Sequence, residues 1–357
     1  MEFVVCSLAK IDEVDTVRHA EDVGVTHFGA GEGPLLFSDP YQYLALAAQQ
    51  TSSIKLGPYV TNPLTRIPAV TANSMATLNA LAPGRTFLGL GAANNALRSM
   101  GNRVARMSEL GDAVRISKGL LNGERLTQTW LGQEREIMFL DPDSGWYNIK
   151  DEVPMWVSTG GPKGLKIAAE QADAVAFCLG PDPEMIKLVR SELDRAVAEA
   201  GRAPGSVKLI GVSWFYLLRN GETWVDAITK GFGSGPISSC LTNLPMMKAH
   251  EDKLDPVIVE ASRKAAMAYL GDPNDPNPPH YLDVWRSYMR GFHADHLPLI
   301  TKELVDYWCL YGSPDDLQEK VQLMQECGVD MVSAVLSNPA TVKRDITDIG
   351  TSIISRS

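Results

Sequence analysis

The segment from Ile54 to Gly101 constrains the fold more than any other part of this sequence. It contains two strand–loop–helix units in tandem, and in each unit an apolar run ends in an abrupt turn of small residues. Parallel α/β proteins build ligand sites in this way, because the turns at the carboxyl ends of their strands gather on one face. The segment therefore predicts a parallel α/β fold and also the face on which chemistry should take place.

The same alternation of apolar runs and helical patterns extends along most of the chain. Eight runs are strand candidates, and helical material follows each of them. One (β/α)8 barrel with insertions explains both the count and the length. A doubly wound open sheet is the runner-up, but it lacks a GxGxxG fingerprint after the first strand. The candidate strands are Phe3–Leu8, Thr26–Ala30, Lys55–Val60, Arg85–Gly91, Pro154–Ser158, Ala174–Cys178, Val207–Leu218 and Met331–Leu336.

Two stretches interrupt the alternation, and we predict a single barrel domain over residues 1–357 with insertions at about 123–150 and 220–300. The first stretch has the pattern of a hairpin, and the second predicts a helix over Pro245–Leu270. We expect these insertions to determine the substrate. Aromatic and apolar side chains around the second insertion either line an apolar pocket or belong to the core; they are Trp214, Phe215, Tyr216, Phe232 and Met246.

Composition and charge exclude several classes of protein. A net charge of −10 argues against a nucleic-acid-binding surface, which needs a basic face. No apolar run approaches the roughly 20 residues that cross a bilayer, and the first residues have no signal-peptide pattern. The five cysteines and six histidines have no metal-ligand spacing, so we expect no metal. We therefore expect a cytoplasmic protein with a small-molecule substrate, and neither a nucleic-acid nor a membrane partner.

Polar residues follow the second and third candidate strands. Glu32 lies between two glycines just beyond the second strand, where it either contacts a ligand or donates a proton, or is a solvated loop carboxylate. Thr61 and Asn62 end the third strand and bring polar groups to the barrel mouth, unless they only form an Asn-Pro turn. His27, within the second strand, is predicted to be a buried core histidine.

The fourth and fifth candidate strands end in small residues. Gly91 and Ala92 leave a flat surface on which a planar ring can lie, with the Asn94 amide beside it. After the fifth strand, Ser158–Gly161 leads directly into a helix, where free N–H groups and the positive end of the helix dipole favour a phosphate. The predicted phosphate site comprises Ser158, Thr159, Gly160 and Gly161, with Lys163 in the first helical turn.

His293 and His296 form the only close pair of histidines in the sequence. Their spacing of three places both imidazoles on one face of a helix. Because no carboxylate or cysteine is in register with them, we do not assign them a metal.

Three segments of this chain resemble the luciferase-like flavin-dependent oxidoreductases, the superfamily of bacterial luciferase, and within it the methylenetetrahydromethanopterin reductases and their relatives. The segments are Ile54–Asn95, Val153–Val175 and Phe292–Val332. The resemblance implies an insertion-bearing barrel with coenzyme F420 (a deazaflavin) or FMN at its mouth, and a homodimer. It also implies a non-prolyl cis peptide behind the ring near Tyr59–Val60, ring contact at Gly91–Asn94 and phosphate contact at Ser158–Gly161.

One departure from the family pattern affects the expected proton donor. Many deazaflavin relatives carry an Asp-His pair after the second strand, whereas this chain has Glu32 followed by glycine. The proton donor is then Glu32, His293, His296 or solvent. The leading hypothesis is hydride transfer between F420 and a small organic substrate, and a reduced-FMN-dependent monooxygenase is the alternative. A non-catalytic flavin- or ligand-binding barrel, and a barrel aldolase or isomerase acting on a phosphorylated substrate, are the hypotheses from other classes.

Overall fold

The computed structural model describes residues 2–271, 275–276, 280–286, 288 and 293–356. Eleven strands are present in these residues. They are β1 (Glu2–Leu8), β2 (His27–Gly31), β3 (Lys55–Pro58), β4 (Leu88–Gly91), β5 (Leu126–Trp130), β6 (Gln133–Ile137), β7 (Met155–Thr159), β8 (Ala174–Cys178), β9 (Lys208–Leu217), β10 (Cys309–Gly312) and β11 (Met331–Leu336).

Helices follow or connect most of these strands. They are α1 (Asp15–Asp22), α2 (Pro40–Gln50), α3 (Pro68–Leu81), α4 (Asn94–Arg98), α5 (Met107–Leu121), α6 (Pro162–Gln171), α7 (Pro183–Glu199), α8 (Trp224–Asp226), α9 (Gly235–Ala249), α10 (Pro256–Leu270), α11 (Tyr281–Trp285), α12 (Lys302–Trp308), α13 (Pro314–Glu326) and α14 (Val342–Ser352). Proline occupies the first turn of several of them, where its missing N–H costs little. None of the helices in the described residues has the length and apolarity that a bilayer crossing requires.

Eight parallel strands form the barrel, in the order β3-β2-β1-β11-β9-β8-β7-β4. The barrel closes between β3 and β4, where the Thr61 amide donates to the Gly89 carbonyl and the Gly91 amide donates to the Thr61 carbonyl, both at 2.9 Å. An open doubly wound sheet would leave these two strands apart. The prediction of a (β/α)8 barrel is therefore confirmed.

The closing seam is irregular on the β3 side. Bridges join Leu56 to Thr86 and Thr61 to Leu90, so the chain advances five residues beside β3 but only four beside β4. One extra residue in one strand is a β-bulge. The Tyr59–Val60 peptide within it is cis, at the position that the family resemblance implies.

The barrel interior contains a cluster of aromatic rings at the amino-terminal half of the strands. Phe87 and Trp156 stack with ring centroids 3.9 Å apart, and the His27 ring lies 5.3 Å from Trp156. Only 3% of His27 is exposed, and burial lowers its pKa to about 4, so the ring is neutral at pH 7. The prediction that His27 is a core residue is confirmed.

The interruptions of the barrel contain elements that the sequence predicted only in part. The hairpin in the first interruption is confirmed as β5 and β6, paired antiparallel. In the second interruption, the prediction of one helix over Pro245–Leu270 is wrong. Two helices, α9 and α10, occupy this region, and Pro245 lies inside α9. Strand β10, which pairs with the carboxyl half of β9, was not predicted.

Candidate functional site

A cavity of about 1030 Å³ lies at the carboxyl ends of the barrel strands. The last residues of β1, β2, β4 and β8 line it, together with the β7–α6 loop, and one face of α9 lies along it. Most of its surface is apolar, supplied by side chains such as Val60, Trp214 and Leu241. A concave, largely apolar site with a few polar groups is the usual form of a small-molecule site.

Ten of the fourteen residues that the sequence assigns to the site line this cavity. The barrel brings together segments far apart in sequence because the carboxyl ends of parallel strands share one face. These ten residues are Glu32, Tyr59, Val60, Gly91, Ala92, Asn94, Ser158, Thr159, Gly160 and Gly161. The other four do not line the cavity; they are Thr61, Asn62, His293 and His296. Of the five apolar side chains near the second insertion that the sequence offered as pocket or core residues, only Trp214 lines the cavity.

Glu32 is buried at the cavity wall with only 7% of its surface exposed. One carboxylate oxygen accepts a hydrogen bond from Asn62 Nδ2 at 3.1 Å, and the other accepts from the Thr65 hydroxyl at 3.2 Å. Burial raises the pKa of Glu32, and the hydroxyl and amide donors and the Arg66 charge only partly oppose this. The interpretation of Glu32 as a solvated loop carboxylate is therefore wrong.

Asn62 and Thr61 lie behind the cavity wall, with 1% and 0% of their surfaces exposed. The Asn62 side-chain oxygen accepts from the amides of Leu64 and Thr65 at 3.0 Å, which fixes the turn after the barrel seam. The same side chain donates to Glu32. Asn62 therefore positions the carboxylate from behind.

The β7–α6 loop packs against α9 more closely than the sequence suggested. A Cβ atom on Gly160 would lie 1.8 Å from the Thr242 carbonyl oxygen, and one on Gly161 would lie 2.6 Å from the Pro245 Cβ. The Gly160 carbonyl accepts from the Met246 amide at 3.0 Å, and the Gly161 amide donates to Thr159 Oγ1 at 3.3 Å. The expectation that both glycine amides point freely at a phosphate is wrong for Gly161. The contact with α9 is itself a reason for glycine at both positions.

A similar contact explains the glycines of β4. A Cβ on Gly89 would lie 2.7 Å from the Pro58 carbonyl oxygen, and one on Gly91 would lie 2.8 Å from the Val60 side chain. These glycines therefore let β4 approach the bulged β3, and Gly89 does not reach the cavity. Beyond them, Ala93 has a φ of 60° and turns the chain into α4.

Three cationic side chains, Arg98, Lys163 and Lys248, line the cavity. Within the described part of the chain, none of them forms an ion pair with a carboxylate, and Glu32 is the only acidic residue that lines the cavity. Lys163 and Lys248 are exposed at its mouth, whereas Arg98 is half-buried. The two lysines at the mouth therefore fit the anionic tail of a coenzyme.

His293 and His296 form a stacked pair outside the cavity lining, with ring centroids 4.6 Å apart. The Nδ1 atom of His296 lies 2.8 Å from the Ser234 hydroxyl, and burial lowers its pKa to about 4. Tyr269 packs edge-on against the same ring at 5.2 Å. Neither histidine is among the residues that line the cavity, and a proton-donor role for either stays a prediction. No three His, Cys, Asp or Glu side chains in the described ranges are grouped to hold a metal ion.

Sequence reasoning missed the contribution of α9. Its lining residues recur at helical spacing on one face: Ser238, Leu241, Thr242, Leu244, Pro245, Lys248 and Ala249. This periodicity is present in the sequence, but the expected helix began at Pro245 because proline is common in a first turn. Cys6, Arg98 and Tyr288 also line the cavity and had no distinguishing sequence signal.

The pattern of the luciferase-like monooxygenase family matches residues 7–331. The chain belongs to this family. The match covers the barrel from the end of β1 to the first residue of β11, and the resemblance drawn from the sequence is thereby confirmed.

Relatives of this luciferase-like chain include reductases and monooxygenases. The chain is 25% identical over 319 residues to the 5,10-methylenetetrahydromethanopterin reductase of Methanolobus tindarius, covering 88% of this chain and 87% of the relative. The structure of the coenzyme F420-dependent tetrahydromethanopterin reductase from Methanopyrus kandleri superposes with a TM-score of 0.73 at 19% identity, covering 99% of each chain. The FMN complex of the oxygenating constituent of 3,6-diketocamphane monooxygenase from Pseudomonas putida superposes with a TM-score of 0.62 at 18% identity, covering 100% of this chain and 98% of that one.

These findings confirm the prediction of an oxidoreductase. The solved structures, at their low identities, support the barrel fold. The luciferase-like protein is an enzyme of an oxidoreductase family.

Proposed function

We propose that this luciferase-like protein transfers a hydride between coenzyme F420 and a small organic substrate. The observation that carries the proposal is the composition of the cavity wall, which combines two exposed lysines at the mouth, without ion-pair partners among the described residues, with a single buried carboxyl group. Support comes from relatives with names such as methylenetetrahydromethanopterin reductase and F420-dependent glucose-6-phosphate dehydrogenase.

In this proposal, different residues of the cavity wall contact different parts of the coenzyme. Tyr59 and Val60, in the β3 bulge, form one wall for the ring, and the turn at Gly91–Asn94 forms its edge. Lys163 and Lys248 attract the anionic tail at the mouth. The coenzyme supplies the hydride chemistry when it is bound, and the protein orients it and excludes water.

Glu32 is the residue that we propose to hold the transferred proton. Its raised pKa keeps a fraction of the carboxyl group protonated closer to neutral pH than an exposed glutamate would be. The Asn62 amide and the Thr65 hydroxyl hold both carboxyl oxygens in place. Glu32 thereby takes the role that the family assigns to an Asp-His pair.

A reduced-FMN-dependent monooxygenase is the second candidate, favoured by the FMN-bound structural neighbour and by the same cationic mouth. Anaerobic fluorescence titration of the purified protein with F420 and, separately, with FMN distinguishes the two. Saturable binding of F420, followed by substrate-dependent change of its absorbance, is the expected result. Saturable binding of FMN alone would favour the monooxygenase, and binding of neither would overturn both candidates. Binding without turnover of any redox partner would favour the non-catalytic barrel.

The oligomeric state, the location and the domain boundaries are part of the same proposal. We propose a cytoplasmic homodimer in which residues 1–357 form one barrel domain with two insertions. Support for an interface comes from large apolar side chains of the first insertion that are exposed in the single chain, including Leu140 at 89% and Trp146 at 82%. Light scattering coupled to gel filtration measures the mass, and a monomeric mass would contradict the dimer.

A further inference from the structure

We propose that the substrate carries an anionic group, a carboxylate or a comparable oxyanion, and that Arg98 binds this group at the end of the cavity opposite to Lys163 and Lys248. The proposal rests on the proposed function, because it assumes that the mouth lysines serve the coenzyme. It adds a substrate class and a specificity-determining residue.

Helix α9 shows how far apart the two ends of the cavity lie. Ser238 and Lys248 both line the cavity from the same helix face. They are ten residues apart, which corresponds to about 15 Å at the α-helical rise of about 1.5 Å per residue. The Lys248 end adjoins the β7–α6 loop, since the Met246 amide donates to the Gly160 carbonyl at 3.0 Å. Lys163 follows directly after that loop.

Arg98 lies at the end of the cavity that Ser238 lines. The hydroxyl of Ser238 lies 2.7 Å from the Tyr288 hydroxyl, and both residues line the cavity. The Tyr288 ring is 4.8 Å from the Trp285 ring, and the guanidinium carbon of Arg98 lies 5.9 Å from the centroid of the same indole. An aromatic face supports a guanidinium group from one side and leaves its N–H edge available to a ligand.

The hydrogen-bonding capacity of Arg98 is not used by the described residues. Its Nε atom is buried without an acceptor there, and none of the described carboxylates pairs with the guanidinium. A partly desolvated cation without a counter-charge is unfavourable, so an anion placed there gains a charge-assisted hydrogen bond. The planar guanidinium fork matches a carboxylate or phosphate oxygen pair.

The size of the cavity leaves room for a substrate beside the coenzyme. Its volume of about 1030 Å³ is at the upper limit of the ~300–1,000 Å³ typical of a site for one drug-sized ligand. Apolar side chains such as Leu241 separate the two cationic ends along α9. A substrate that contacts Arg98 therefore carries an apolar portion between its anionic group and the coenzyme ring.

Paired probes of equal shape and different charge test this inference. Isothermal titration measures benzoate, benzamide and inorganic phosphate against F420-loaded protein and against protein without coenzyme. We expect benzoate to bind at least about tenfold more tightly than benzamide, the effect of one hydrogen bond to a charged group. Arg98→Gln should abolish this preference and Arg98→Lys should retain part of it, while both variants keep their F420 affinity. Arg103→Gln is the matched control, because Arg103 lies in the loop that follows α4 but pairs with Glu109 at 2.6 Å outside the cavity.

Three results of the anion titrations would overturn the inference. They are equal binding of benzoate and benzamide to the wild-type protein, an unchanged preference in Arg98→Gln, and no saturable binding of either benzoate or phosphate. A large loss of F420 affinity in Arg98→Gln with benzoate binding intact would also overturn it, by assigning Arg98 to the coenzyme tail. Failure of the wild-type protein to bind F420 would contradict the proposed function separately, since the anion titrations are also made without coenzyme.

Discussion

Glu32 combines burial with two hydrogen bonds, and its chemistry follows from both. The hydrogen bonds from Asn62 and Thr65 favour the charged carboxylate, whereas the surrounding protein disfavours it. The net direction is a raised pKa, so desolvation is the larger effect. A carboxyl group in this balance gives up and takes back a proton at a higher pH than an exposed glutamate does.

Replacing Glu32 with glutamine should remove the proton donor and preserve the shape of the wall. We expect turnover with F420 to fall about 10²- to 10⁴-fold, the usual contribution of general acid–base catalysis. The F420 dissociation constant should change little. The wild-type pH profile should contain one ionisation above the ordinary glutamate range, and Glu32→Gln should lack it. Glu152→Gln, at an exposed position, is the control. Unchanged turnover in Glu32→Gln would contradict the assignment.

The same raised pKa makes a prediction for stability. The folded state binds the Glu32 proton more tightly than the unfolded state, so the favourable contribution is complete at low pH and is lost as the pH rises through the folded-state pKa. Urea unfolding from about pH 4 to pH 7 should show the wild type losing free energy of unfolding relative to Glu32→Gln. A constant difference between the two proteins over this range would show that the pKa is not raised.

Contact between the β7–α6 loop and α9 requires glycine at position 160. The Cβ atom of Gly160→Ala would lie 1.8 Å from the Thr242 carbonyl oxygen, a backbone atom that cannot turn away. We expect a loss of about 1–3 kcal/mol in the free energy of unfolding, typical of overpacking. Gly31→Ala is the control within the cavity, because its Cβ would lie 3.6 Å from the nearest atom, an ordinary contact. Thermal unfolding measures both variants, and equal stability would exclude the close contact.

In the turn of the β5–β6 hairpin, Leu131 has a backbone conformation that is unfavourable for leucine. Leu131 has a φ of 52° and Gly132 a φ of 74°, which is the positive-φ pair of a two-residue hairpin turn. Leu131 is also 84% exposed, so its side chain gains little from packing. Leu131→Asn should raise the free energy of unfolding by about 0.5–1 kcal/mol, because asparagine tolerates this conformation better. F420 binding should not change, since the hairpin does not line the cavity. A destabilised variant would contradict this turn geometry.

These elements show what local sequence can predict. The barrel strands and the β5–β6 hairpin carried their signals in short windows, as apolar runs that end in small residues. Gly160 and Gly91 were recognised as positions at the site, but the reasons for glycine there lie in α9 and β3, which are distant in sequence. Helix α9 was mispredicted because Pro245 has the signal of a helix start and occurs inside the helix instead. Contacts between distant segments cannot be read from either segment alone.

The charge of the whole molecule and the charge of its cavity have opposite signs. The chain carries a net charge of −10, whereas three cations and one acidic residue line the cavity. The composition argued against a nucleic-acid surface but gave no indication of an anion site, because net charge does not report where the cations gather. The barrel produces this local reversal by placing Lys163 after β7 and Lys248 on α9 at one mouth.

Attraction of the coenzyme should therefore be local and dependent on salt. We expect Lys163→Gln and Lys248→Gln each to weaken F420 binding about twofold to fivefold, the effect of one exposed charge pair. Raising the ionic strength from about 0.01 M to about 0.15 M shortens the Debye length from about 30 Å to about 8 Å. The affinity of the wild-type protein for F420 should therefore fall, and the affinity of the two variants should fall less.

Lys166→Gln is the matched control for these two variants. Lys166 is in the same helix as Lys163 but points away to solvent, 3.8 Å from Glu170, and does not line the cavity. Fluorescence titration at both salt concentrations measures all four proteins. Lys166→Gln removes the same charge from the molecule as a whole. Equally weakened F420 binding in all three variants would therefore mean that the coenzyme responds to net charge. Weakening confined to Lys163 and Lys248 would locate its anionic tail at this mouth.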